Sequence, residues 1–214
     1  MRGWWTVTVL VGLATAEIID RVCVMVDRKV ITLSAVDERI RVAALLNGTA
    51  ADLSAASRRR MAERLIEQAL IEREMEISRY SMPKEEEVTE YLERLRKQGK
   101  LGARALAAKL GEYRLTEAAL RENLRLQLAT VRFIDLRFRP GSAVSDGEIE
   151  LYYRETYVPE WQRENAGKTP PEVDEVWDTI EQTLLAQKAN EALEAWLKEA
   201  RAGARVIYFE EAFR

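Results

Sequence analysis

Residues Ile18–Ile40, IIDRVCVMVDRKVITLSAVDERI, read as two short strands around a tight turn that run straight into a helix. Val22, Cys23, Val24, Met25 and Val26 form an apolar, β-branched run. Asp27, Arg28 and Lys29 supply a polar turn, and Val30 and Ile31 restart the apolar run. Thr32 or Ser34 can cap the helix that follows, whose first turn is expected to carry Asp37 and Glu38, where the helix dipole favours negative charge. A hairpin cannot bury both of its faces alone. The other convincing strand lies at the far end of the chain, Ala204–Phe209 (ARVIYF). Pairing of the two would close one body, with everything between them leaving and returning as helical arms.

Upstream, Met1–Ala16 (MRGWWTVTVLVGLATA) has a basic residue, a short apolar core and a small-x-small end. It reads as an export signal cleaved before Glu17, and so predicts a periplasmic location. A buried strand or an uncleaved anchor are the alternatives; the apolar core is short of the ~20 residues that span a bilayer. The 214 residues carry a net charge of −3 and 32% charged side chains, as a well-solvated globular protein does. No basic stripe marks a nucleic-acid surface. The single cysteine, Cys23, excludes an internal disulfide and is either buried or open to a bond between chains; its strand setting favours burial.

Between hairpin and tail, apolar residues recur at helical spacing. The first helix runs to about Leu46 on Val36, Ile40, Ala43 and Ala44; Asp52 or Ser54 caps a long second one on Met61, Leu65 and Ala69. Pro83 opens a third over Val88, Tyr91, Leu92 and Leu95, which stops near Gly99. A short helix spans about Ala103 to Leu110. Thr116 then caps one carrying Leu120, Leu124, Leu128, Val131 and Ile134. Ser145 and Glu148 form a capping box for a helix with Ile149, Tyr152 and Tyr153 on its apolar side. Val158–Pro171 reads as a loop, and a last helix over about Glu172–Ala202 buries Val176, Ile180, Leu184, Leu193, Trp196 and Leu197. The expected fold is mostly α, with a small sheet made by the N-terminal hairpin and the C-terminal strand.

The chain has no histidine, which removes the commonest general base and metal ligand. Gly167-Lys168-Thr169 lacks the earlier glycine and strand of a phosphate loop, and Glu85-Glu86-Glu87 point in different directions on a helix. No catalytic residue, metal ligand or cofactor site is therefore expected.

An export signal, VCVMVDRKVITLSAVDERI (22–40), RRRMAERLIEQALIEREMEI (58–77), SMPKEEEVTEYLERL (81–95), RENLRLQLATVRFIDLRF (121–138), VSDGEIELYY (144–153) and TIEQTLLAQKANEALEAWLKEARAGARVIYF (179–209) follow one another in this order. Taken together they resemble the SurA-like periplasmic chaperones, the parvulin-linked folding factors of Gram-negative envelopes. The resemblance covers nearly all of the chain after the signal. It implies an N-terminal helical region (17–157) completed by a C-terminal helix and strand (172–214), holding unfolded outer-membrane proteins. It also implies an inserted parvulin prolyl-isomerase domain, but only residues 158–171 stand at that position, against the ~50 residues of an independent domain. The expected function is an ATP-independent holdase for unfolded polypeptide clients; a prolyl isomerase, or an adaptor with one dedicated partner, is the alternative. Tyr152, Tyr153, Tyr157, Trp161 and Met82 are the candidate client contacts, chosen as aromatics near the loop and an adaptable thioether at a helix junction. Apolar arms can swap between copies, which leaves a homodimer open.

Overall fold

The computed structural model describes residues 20–98, 106–141 and 143–214, and the tail of the chain does close on its beginning. β1 (Val22–Val26) and β2 (Lys29–Thr32) form the expected hairpin, and β3 (Val206–Tyr208) adds to the other edge of β1, giving the antiparallel order β2-β1-β3. Val24, Met25 and Val26 face Tyr208, Ile207 and Val206 across the second ladder. The turn is tighter than expected, because Lys29 already belongs to β2. Asp27 makes it possible by taking a left-handed conformation (φ +52°), which a short polar side chain tolerates.

Asp27 also fastens the tail. Its N–H donates to the Arg205 carbonyl (2.8 Å), and its Oδ1 accepts from the Arg205 N–H (2.8 Å). Its Oδ2 accepts from Arg73 Nη1 (2.6 Å). The Arg205 N–H, together with Arg73, holds this carboxyl below its usual pKa.

The helices are α1 (Leu33–Asn47), α2 (Ala55–Ile77), α3 (Glu85–Lys97), α4 (Leu106–Glu112), α5 (Glu117–Phe138), α6 (Asp146–Tyr152), α7 (Val158–Glu164) and α8 (Val173–Gly203). Local sequence explains most of their ends. Thr32, Ser54 and Thr116 accept from the N–H groups of Ala35, Ser57 and Ala119, which caps α1, α2 and α5. Gly48 closes α1 at φ +65°, where any other side chain is strained. Pro83 is not the first helical residue. It lies buried ahead of Lys84, whose N–H donates to Glu87 Oε2 (2.8 Å) at the start of α3. The export-signal reading of Met1–Ala16, the stop at Gly99 and the start at Ala103 lie outside the described residues.

The largest difference from expectation is at residues 158–164, which are helix and not loop. A π-helical turn, Tyr153–Tyr157, joins α6 to α7, and the Val158 N–H bonds to the Tyr153 carbonyl five residues back. A proline inside an α-helix breaks a hydrogen bond and clashes with the preceding turn. The wider π turn resets the ladder just before Pro159, which then occupies the tolerant first turn of α7. Only 165–172 remain irregular, with Gly167 at φ +82°.

The core is divided. Cys23, Val24 and Val26 pack with Ile66 and Leu70 of α2 and with Phe213 from the C-terminal 3-10 turn. A second cluster joins Leu45 to Val88, Leu92, Leu120 and Leu124. A third sets Ile71, Met75 and Phe133 against Leu193, Trp196 and Leu197, which are half-buried and not fully buried as their spacing predicts. A bidentate bond from Arg58 to the buried Asp37 (2.8 and 2.9 Å) ties α2 to α1. Among the described residues, no helix is long and apolar enough to cross a membrane.

Phe213 is only 4% exposed and lies under the Arg59 guanidinium, 5.6 Å from its ring centre. Replacing a core phenylalanine with alanine removes about 3–5 kcal/mol. The Phe213→Ala variant is expected to lose that much in a urea unfolding curve; a loss below about 1 kcal/mol would mean that the tail does not complete the core.

Candidate functional site

The aromatic residues picked from the sequence are brought together, but as packing. Tyr152, Tyr153 and Tyr157 are half-buried against Ile149, Val176 and Ile180, where α6, the π turn and the start of α8 meet. The Tyr153 and Tyr157 rings stack at 5.9 Å and 18°. The Tyr153 hydroxyl donates to the Pro171 carbonyl (2.6 Å), tying the π turn to the segment before α8. Burial, with Glu172 nearby, pushes this phenol above its ordinary pKa. Trp161 is half-buried one turn further along, in α7, outside this cluster. Met82 is 41% exposed in the connection between α2 and α3 and belongs to neither group.

The arm is strapped to α8 by charge. Lys188 Nζ lies 2.6 Å from Glu148 Oε1, while Glu148 Oε2 accepts from both the N–H and the hydroxyl of Ser145 (2.9 Å each). These contacts, Lys188 first, lower the Glu148 pKa from 4.5 to about 2.

A different place offers open apolar surface. Where α1, α2 and α5 meet there is a groove with a cavity of about 270 Å³. Its floor is Val42, Ala43 and Leu46 from α1, Met61 and Leu65 from α2, and Val131 from α5. Its rim carries Arg39, Arg64, Gln68, Asn123, Gln127 and Thr130. Val131 continues the stripe of Leu120 and Leu124 by spacing, yet it is 60% exposed. The stripe is covered by α1 and α3 at one end and opens into the groove at the other.

The rim is ordered by hydrogen bonds. Gln68 Nε2 donates to Thr130 Oγ1 (2.9 Å), which links α2 to α5. Asn123 is buried, donates to the Ala119 carbonyl (2.8 Å) and to Glu38 Oε1 (3.0 Å), and accepts from Arg39 Nη1 (2.6 Å). Burial lowers the Arg39 pKa, opposed by the more distant Glu72 and Glu38, but a guanidinium remains charged at neutral pH. None of these residues was singled out from the sequence, because each helix alone shows only a polar or apolar position.

This arrangement, an apolar floor under a polar rim, can bind. Among the described residues no group of histidine, cysteine, aspartate or glutamate side chains is placed to hold a metal ion. Cys23 is fully buried and its thiol pKa is raised by desolvation, the opposite of a reactive thiol. Comparison of the sequence with known family models and with curated proteins finds no match.

Because the folded pKa of Glu148 is depressed, the strap stabilises the protein above the ordinary 4.5 and is lost as pH falls through about 2. In a carboxyl NMR titration Glu148 is expected to remain ionised at about pH 3.5, where ordinary glutamates are mostly protonated. Lys188→Met should move its midpoint upward. An unshifted midpoint in both proteins would mean that the strap does not form.

Proposed function

We propose that this protein is an ATP-independent chaperone that holds non-native polypeptides, a SurA-like chaperone core working without a parvulin domain. The observation that carries the proposal is the groove: an open apolar hollow on three helices, ringed by amides, hydroxyls and arginines. Apolar floors supply affinity for exposed hydrophobic segments, and polar rims bond to an extended backbone while discouraging self-association. The tail strand pairing with the N-terminal hairpin supports the resemblance, since that family implies the same closure. The reading of Met1–Ala16 as an export signal assigns the work to the periplasm, with unfolded outer-membrane proteins as the natural clients. Binding is spontaneous and reversible and makes or breaks no covalent bond. The tyrosine cluster holds the arm, and client contact shifts to the groove, with Trp161 and Met82 as accessory apolar surface.

The protein is expected to suppress light scattering by an unfolded outer-membrane β-barrel protein when present in several-fold excess. Unchanged scattering would refute the holdase reading. Val131→Glu places a charge on the groove floor at a largely exposed position, so folding should be intact by circular dichroism. Client affinity should fall by roughly tenfold, the value of one lost valine contact. Full affinity in that variant would move the binding surface elsewhere.

A further inference from the structure

The charges at the groove are unbalanced. Several arginines elsewhere that are partly buried meet carboxylates: Arg58 with Asp37, Arg121 with Glu85, Arg125 with Glu85. Arg39 differs. It is half-buried, lines the groove, and donates its hydrogen bond to the neutral amide oxygen of Asn123. Glu38 is reached only through the other end of that amide, and no carboxylate lies at ion-pair distance from Arg39 among the described residues. Arg64, on the opposite wall, has neither a hydrogen bond nor an ion pair among the described residues. A guanidinium has five N–H donors in a fork that matches a carboxylate. Two such forks face a hollow whose floor is apolar, so the complementary ligand is an anion joined directly to apolar groups.

We propose that the groove between α1, α2 and α5 receives the C-terminal end of an unfolded polypeptide. Its free carboxylate is bonded by Arg39 and Arg64, and its last apolar side chains rest on Val42, Leu46, Met61 and Val131. This rests on the holdase reading and names the part of the client that the groove takes. A chain terminus fits better than an internal acidic residue. The terminal carboxylate sits on the same Cα as the side chain that fills the hollow, whereas an internal aspartate or glutamate uses its own side chain to reach the arginines. The cavity, about 270 Å³, suits a side chain or two at an end. A fatty acid has no backbone amide to offer the one rim amide, Gln127, that has no partner among the described residues. Gln127, exposed and with no partner among the described residues, is available to a peptide backbone.

The test is fluorescence anisotropy with one labelled peptide ending in two apolar residues, made as the free acid and as the C-terminal amide. The free acid is expected to bind about tenfold more tightly, the usual worth of a charge-assisted hydrogen bond. Arg64→Gln changes an exposed side chain and leaves the fold alone; it should cut that preference to about threefold or less. Arg39→Gln should likewise cut the preference for the free acid over the amide. Arg154→Gln, an exposed arginine on the π turn, should keep the full preference. Equal affinity of acid and amide, or a preference that survives both groove variants, overturns the proposal. So does equally tight binding of an amidated peptide with an internal aspartate, or displacement of the peptide by laurate at equal concentration. These outcomes leave the holdase reading standing, because that reading is decided by the aggregation assay.

Discussion

The rest of the structure depends on one junction, the pairing of β3 with β1 at Asp27. Arg205 and Asp27 are 178 positions apart, yet they exchange two hydrogen bonds at the hairpin turn. Closing a flexible loop of that length costs roughly 5 kcal/mol, since the entropy grows only with the logarithm of length. The antiparallel ladder and the burial of Ala212 and Phe213 in the strand cluster can offset it. The same logarithm explains why so many helices can be carried between the two strands: extending the excursion adds little to the closure penalty. Arg73 joins α2 to the same carboxylate, so turn, tail and the longest early helix meet at one residue.

The groove follows from how α1 serves two cores. At 3.6 residues per turn, Val36 and Ile40 fall on one side, toward the sheet and α2. Val42 and Leu45 turn toward α3 and α5. The arc between those sides holds Arg39, flanked by Ala43 and Leu46, which lie half-buried at the margins of the first and second cores. On α2 the arc holding Met61, Arg64, Leu65 and Gln68 likewise borders the strand cluster. Helices shared between separate cores leave seams, and at the head of this one a buried asparagine is bonded to a guanidinium.

Much of the scaffold was legible because its signals are local. The apolar runs around Asp27, the caps at Thr32, Ser54, Thr116 and Ser145, and the apolar tail at 204–209 each act over a few residues. Pro159 misleads because proline usually interrupts a helix, and the π turn that accommodates it has no equally plain signature. That helical arms leave grooves was legible, but the place of this one was not. Its walls come from three helices, and Val131 has the same spacing as buried Leu124; only the placement of α1 and α3 makes one core and the other surface. The sequence picks Tyr152, Tyr153 and Tyr157 as client contacts, and their abundance near a proline-rich stretch does not tell packing from contact.

Groove size bears on how a holdase of this design would work. A hollow that accepts a side chain or two gains about 3–6 kcal/mol from apolar burial before ordering losses. Ordering and association losses come off that gain, so one such contact holds a client no more tightly than about millimolar, weak enough for release without an energy source. The bonds from Gln68 to Thr130 and from Arg39 to Asn123 fix the walls in advance, so little is lost in ordering the protein side. Stronger holding of a long client then calls for several contacts at once. The apolar residues left outside the groove suit that: Met82 beside α3, Leu136 on α5 and Leu151 on α6 are exposed and scattered over different elements. Surfaces of this kind, each too small to drive self-association, can engage an extended chain in several places while every single contact stays reversible.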